Sequence, residues 1–184
     1  MPTANKSPLL YLIAMMTAAA VLVLLSTDAA AYDLNGRVIA VSDGDTVKLL
    51  TADNQTYKIR LAGIDAPEKK QAFGSESKKA LSNCAEGKAA TIDGNKKDRY
   101  GRIVGKVIVA GVDCNLRQIQ LGMAWHYKKY EKEQDVEDRS RYAHEEYLAQ
   151  KSRIGLWTDT AVLAPWDYRK LRKEAVKPKR FNNP

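Results

Sequence analysis

LNGRVIAVSDGDTVKLL, residues 34–50, decides how the rest of the chain is read. Two runs rich in β-branched residues, 34–42 and 46–50, flank Asp43-Gly44-Asp45, and Asp-Gly between such runs is a strong short-range hairpin signal. Downstream, residues 55–64 (QTYKIRLAGI) alternate Tyr57, Ile59 and Leu61 inward against Lys58 and Arg60 outward, the period of a third strand, which Pro67 ends. Residues 88–93 and 102–110 (RIVGKVIVA) supply a fourth and a fifth strand, joined by a charged turn over 94–101. From 68 to 83 the period of two is lost, and the chain reads as a loop entering a helix. Residues 115–122 suit a short helix with Asn115 as N-cap and Gly122 at its end. Residues 136–153 form the longest helical candidate: Val136, Ala143, Tyr147 and Ile154 recur at helical spacings and Gly155 stops it. Five short strands, one helix inserted between the third and fourth, and two helices at the end predict an α+β chain, mainly β, on a small closed five-stranded barrel of OB type.

Upstream of the hairpin, residues 1–31 carry only Lys6 and Asp28 as charges, with an apolar run over 9–25 and Ala29-Ala30-Ala31 at the end. A basic start, an apolar run and an A-x-A site predict a secretory signal peptide cleaved after Ala31; an uncleaved anchor is the second reading. Either one exports the remainder, to the periplasm or beyond, so Cys84 and Cys114 are expected to form one structural disulfide. Closing a loop of about 30 residues contributes on the order of 3–4 kcal/mol in the chain-entropy model.

Across 184 residues, 30 Lys+Arg oppose 22 Asp+Glu, a net charge of +8. That balance points to a polyanionic partner, nucleic acid or a membrane surface, and says nothing about chemistry. Two Cys and two His exclude a disulfide scaffold and a four-Cys zinc site, and leave little for a zinc enzyme. His126 and His144 have no ligand spacing and read as structural or solvent-exposed. Residues 166–184 hold seven basic and two acidic side chains, so most of the excess charge lies at the C-terminus. The expected organisation is therefore a leader over 1–31, one domain over 32–166 and a basic tail over 167–184. The tail reads as a solvated end or as a source of extra phosphate contacts.

Asp45 ends the hairpin turn and Asp65 the third strand. Taken alone, these are a turn and a strand exit; together, two carboxylates gathered by barrel closure suit a hard cation. Arg60 and Arg102 offer forks that match phosphate oxygens, and Glu68, just past Pro67, suits a general base acting on water.

These residues lie in a larger pattern: Asp43-Gly44-Asp45-Thr46-Val47; Arg60-Leu61-x-x-Ile64-Asp65-Ala66-Pro67-Glu68; Asp98-Arg99-Tyr100-Gly101-Arg102; Leu121-Gly122-Met123-Ala124-Trp125; and Glu146-x-x-Ala149 running to Gly155-Leu156-Trp157. In order and spacing, residues 34–157 resemble the staphylococcal nuclease (thermonuclease) family of secreted phosphodiesterases. The resemblance implies an OB barrel with three helices and a Ca²⁺ site held by Asp45, Asp65 and the backbone carbonyl of Ala66, where many relatives carry Thr. It implies that Arg60 and Arg102 clamp the phosphate and that Glu68 positions or deprotonates the attacking water. Arg99 and Tyr100 would contact a neighbouring phosphate, and Tyr130 would pack a nucleotide. The implied activity is Ca²⁺-dependent hydrolysis of DNA and RNA with little sequence specificity, leaving 3′-phosphate ends. The implied enzyme is a monomer without an obligate protein partner, touching a membrane only if residues 1–31 stay attached. The alternative is a non-catalytic OB module that binds nucleic acid, which has no need for Asp45, Asp65, Arg60, Glu68 and Arg102 together.

Overall fold

A computed structural model describes residues 34–176; the leader expected over 1–31 and the last residues of the expected tail lie outside the described residues. The hairpin forms as the sequence predicts. Strands β1 (Leu34–Asp43) and β2 (Thr46–Leu50) pair antiparallel, with Asp43 opposite Thr46 across Gly44-Asp45. β2 pairs with β3 (Thr56–Leu61), β1 with β5 (Ala89–Lys97), and β5 with β6 (Ile103–Val109). A parallel β3–β6 ladder, Arg60 opposite Val104, closes these five strands into a barrel. Val38, Val47, Leu49, Ile59, Leu61, Ile92 and Val107 fill its interior at no exposure, the inward half of each alternating strand.

Strand three is shorter than expected. At Ala62-Gly63 the chain turns, with Gly63 at φ +71°, a left-handed conformation that favours glycine. A separate two-residue strand, β4 (Ile64–Asp65), then pairs with β8 (Trp125–His126). β5, the expected fourth strand, runs past the predicted end at 93: pairing with β6 continues beyond an irregularity between Asp93 and Lys96. The intervening Gly94 sits at φ +139°, where an added Cβ would lie 2.5 Å from Val104 O.

Helix α1 (Gly74–Ala85) packs Leu81 and Ala85 on the barrel. β7 (Val112–Asp113) folds back antiparallel on β6 and leads into helix α2 (Cys114–Gln120). The cap of α2 is Asp113, not Asn115: Asp113 Oδ1 accepts from Asn115 N and Leu116 N at 2.8 and 3.0 Å. Cys84 and Cys114 are bonded, tying α1 to α2.

Helix α3 (Val136–Lys151) occupies the expected place with a different buried face. Val136, Tyr147 and Ile154 are exposed, and Tyr142, Glu146 and Ala149 are buried instead. Polar partners decide this. Tyr142 Oη donates to Asp113 Oδ2 at 2.7 Å, and Glu146 accepts from His126 N and Lys128 Nζ at 2.9 and 2.6 Å. Residues expected to lie in a tail instead enter a helix, α4 (Pro165–Val176). Pro165 takes its first position, where a missing N–H is not needed. Among the described residues, no helix is long and apolar enough to cross a membrane.

Candidate active site

Asp45 is the second residue of a turn held from four directions. Gln118 Nε2, buried in α2, donates to Gly44 O at 2.7 Å and to Ser77 O at 3.0 Å. Leu61 N donates to Asp45 O at 2.9 Å, locking the turn to the end of β3. Thr46 Oγ1 donates to Asp45 Oδ1 at 3.1 Å, and Ala66 N donates to Asp45 Oδ2 at 2.9 Å. The carboxylate is therefore aimed: each oxygen accepts one hydrogen bond, and Oδ2 has a further partner.

That partner is Arg60. The side chain points away from the barrel interior, as its strand period requires, yet it is largely covered, with 13% side-chain exposure. Its Nη2 lies 3.1 Å from Asp45 Oδ2 and 3.0 Å from Asp65 Oδ1, and its Nη1 donates to Leu61 O at 2.8 Å. One guanidinium nitrogen thus bridges two buried carboxylates contributed by separate segments. Burial raises the Asp65 carboxyl above its ordinary range, although Arg169 and Arg60 oppose that shift. Asp43, beside Asp45, is pushed up to about 6 by burial and then by the Asp45 charge.

Glu68 stands three residues beyond Asp65, with its N–H donating to Gln71 Oε1 at 3.1 Å. Asp65 and Glu68 share a ligand that the sequence reading did not find. Arg169 of α4 donates from Nη2 to Asp65 Oδ2 at 2.7 Å and from Nη1 to Glu68 Oε1 at 2.8 Å, with Asp65 Oδ1 3.3 Å from the same Nη1. Burial lowers the affinity of Arg169 for its proton, and the hydrogen bonds to Asp65 and Glu68 outweigh that and raise it. Asp45, Asp65, Arg60 and Glu68 are therefore brought together as expected, with Arg169 added.

Arg102 is held by different means. Asp98 Oδ2 accepts from Arg102 Nε at 2.7 Å and lies 2.7 Å from Arg102 Nη2, while Asp98 Oδ1 accepts from the N–H groups of Tyr100 and Arg102. Register places Arg102 on the same side of the closing ladder as Arg60, because Arg60 opposes Val104 two residues on. The Arg102 guanidinium lies over the Tyr100 ring at 5.5 Å, and Arg99 lies 4.8 Å from the same ring. Tyr100 is exposed, as is Tyr130, whose ring meets Tyr127 edge-on at 5.2 Å. His126 is buried, with Nε2 2.8 Å from Gln134 Oε1, and His144 is exposed; neither joins the cluster.

The donor set suits a hard cation: two buried carboxylates meet at one point, and a guanidinium already serves there as the positive partner. Among the described residues, no group of three or more His, Cys, Asp or Glu side chains is arranged to hold a metal ion. Asp45 and Asp65 would need backbone carbonyl and water oxygens to complete a coordination shell.

A closed five-stranded barrel carrying carboxylates and arginines at one rim defines a class of OB-fold protein suited to phosphate chemistry. Residues 58–159 match the family model described as staphylococcal nuclease homologue, and the chain belongs to that family. A Haemophilus influenzae protein described as an uncharacterized endonuclease is 41% identical over 137 residues, 74% of each chain. The micrococcal nuclease of Shigella flexneri is 36% identical over 175 residues, covering 90% of this chain and 97% of that one. Protein ParB of Escherichia coli is 35% identical over 167 residues, covering 85% and 92%.

Proposed function

We propose that this chain is an exported, Ca²⁺-dependent nuclease that hydrolyses phosphodiester bonds of DNA and RNA with little sequence specificity. The observation that carries the reading is the Arg60 bridge between Asp45 and Asp65, with Glu68 beside it, in a chain of the staphylococcal nuclease family. Export is supported by the leader-like pattern of residues 1–31 and by the Cys84–Cys114 bond.

Asp45, Asp65 and the backbone carbonyl of Ala66 would hold the cation. A bound Ca²⁺ supplies Lewis-acid polarisation of a phosphoryl oxygen. The chain's own groups do the rest. Arg60 and Arg102 donate hydrogen bonds to the oxygens on which charge grows as phosphorus becomes five-coordinate. Asp98 holds the Nε–Nη2 edge of Arg102, which leaves Nη1 for the phosphate. Glu68 accepts the proton of the attacking water, whose oxygen bonds to phosphorus as the bond to the 5′ oxygen breaks. The products are a 3′-phosphate and, after protonation from solvent, a 5′-hydroxyl. Arg99 and Tyr100, which pack with each other beside Arg102, and Tyr130 are exposed and suit flanking phosphate and base contacts.

The test is a divalent-ion series on DNA and RNA with end-group analysis of the products. Cleavage that stops in EGTA, returns with Ca²⁺ and leaves 3′-phosphates supports the reading. Full activity in EGTA without other divalent ions removes the metal, and shifted but uncut substrate in Ca²⁺ makes the protein a binding module.

A further inference from the structure

The position of Arg169 is unusual for a residue outside the family-matched segment, which ends at 159. It reaches back to the two carboxylates that matter most. Asp65 has 2% side-chain exposure, and both its oxygens face the Arg169 guanidinium, at 2.7 and 3.3 Å; the third contact is Glu68 at 2.8 Å. A guanidinium in that place spends the lone pairs of Asp65 that a cation would use and holds the carboxylate that would accept a proton from water.

The seat of α4 is narrow. Trp166 stacks on Tyr127 with ring centroids 5.5 Å apart at 11°, and it meets Trp125 edge-on at 6.3 Å. Tyr168 Oη donates to Lys70 O at 3.1 Å, and Gln71 Nε2 donates to Leu163 O just ahead of the helix. Beyond Arg169 the helix is open: Leu171 and Val176 are exposed, and Pro165 is its one buried residue. A helix fixed by two aromatic contacts, one hydrogen bond from Tyr168 and one ion-pair cluster, with no apolar face of its own in the core, belongs to the weakly held end of a structure.

We propose that α4 is an intramolecular plug of the acidic site: Arg169 occupies Asp65 and Glu68 until a divalent cation displaces it. The inference rests on Asp45 and Asp65 being the cation ligands. A divalent ion on Asp65 and a guanidinium on the same oxygens exclude one another by contact and by charge, so cation binding and α4 docking are thermodynamically linked. The apparent cation affinity is reduced by the fraction of molecules in which the plug is seated. Release also uncovers the Tyr127 ring face that Trp166 occupies, and it adds Arg169 to the already exposed Lys170, Arg172 and Lys173 as a contact for a polyanion.

The experiment is Ca²⁺ calorimetry on the full protein, its Arg169→Ala variant and its Trp166→Ala variant, with hydrogen exchange over residues 165–176 measured with and without Ca²⁺. Arg169→Ala is expected to bind Ca²⁺ about tenfold or more tightly than the unmodified protein, and Trp166→Ala, which weakens the seat without touching the charge, to move the same way. Exchange in 165–176 is expected to be slow without Ca²⁺, to speed up on Ca²⁺ saturation, and to be fast throughout in Arg169→Ala. Equal Ca²⁺ affinity in all three proteins, or protection of 165–176 that Ca²⁺ leaves unchanged, overturns the plug and leaves the metal site standing. Absence of Ca²⁺ binding in every protein, including the one with α4 released, overturns the metal site and the plug with it.

Discussion

Asp98 holds Arg102 by side chain and backbone at once: Oδ2 takes the guanidinium at 2.7 Å, and Oδ1 takes the Arg102 N–H at 3.0 Å. Gly101, at φ +78°, makes the turn that lets both bonds form within four residues. Arg102 therefore comes to a phosphate already oriented, which reduces the ordering required in the transition state. Asp98→Asn keeps an acceptor but loses the charge. A fall in kcat/KM of about tenfold is expected, with KM moving less than kcat, read from steady-state kinetics on a defined oligonucleotide.

The same carboxylate has a pH signature. Partial burial raises its pKa, but the bonds from Arg102 and from the Arg102 and Tyr100 N–H groups outweigh burial and hold it below its ordinary 3.8. A folded-state value below the unfolded one stabilises the fold above the unfolded pKa, and that contribution is lost as pH falls through the folded value. The Tm difference between the unmodified protein and Asp98→Asn should thus be constant near neutrality and shrink below about pH 4. Thermal melts from pH 7 down to pH 3 check this, and a difference that widens toward acid would contradict it.

Arg60 is the positive charge shared by Asp45 and Asp65, and its replacement separates folding from chemistry. Lysine offers one ammonium and cannot also donate to Leu61 O while bridging both carboxylates. Arg60→Lys should lose on the order of 10²-fold in kcat, the usual effect of one lost transition-state donor. Without Ca²⁺, the imperfectly paired carboxylates should also cost stability, up to about 3 kcal/mol. Ca²⁺ should recover most of that stability and little of the rate, as paired melts and kinetics would show.

How much of this was legible in the chain follows from physical range. The five barrel strands were readable because each runs at least five residues and is bounded by turn signals, with β-branched runs at 34–50 and alternation at 55–61, and Asp45, Arg60, Asp65, Glu68 and Arg102 because they sit at turns and strand ends within recognisable motifs. Two-residue ladders such as Ile64–Asp65 with Trp125–His126 carry no period to read. The face of α3 was misjudged because Glu146 and Tyr142 are buried by partners from β8 and β7, which no count of apolar spacing contains. Arg169 was invisible for a related reason: α4 reads as a run of charge, and only Pro165 at a helix start and Trp166 beside it hint at docking.

Gly44 is set by space. A Cβ there would lie 1.9 Å from Ser77 Oγ and 2.7 Å from the Ala66 Cβ, so even alanine must push the turn away from α1. The displaced turn carries Asp45 with it. Gly44→Ala is expected to destabilise the fold by about 1–3 kcal/mol and to weaken Ca²⁺ binding beyond what that loss explains. Urea midpoints and calorimetry separate the two effects.

Asn115 is the remaining test, because its side chain does the work of backbone. It is fully buried; Oδ1 accepts from Val107 N at 3.0 Å, and Nδ2 donates to Ala62 O at 3.0 Å and Gly105 O at 3.2 Å. Ala62 lies where β3 breaks before Asp65, so Asn115 sets the position of the Asp65 strand against β6. Asn115→Ala takes the side-chain partner from Val107 N and Ala62 O, while Gly105 O keeps the bond from Ala62 N, a loss of roughly 2–4 kcal/mol. Asn115→Asp keeps the acceptor, fails both carbonyls, and adds a buried charge, so it should be at least as destabilising. If Asn115 only filled space, Asn115→Leu would restore the midpoint of urea unfolding. The hydrogen-bond account requires that Asn115→Leu remain well below the unmodified protein and that amide exchange at Val107 accelerate in Asn115→Ala and Asn115→Leu, which remove its acceptor.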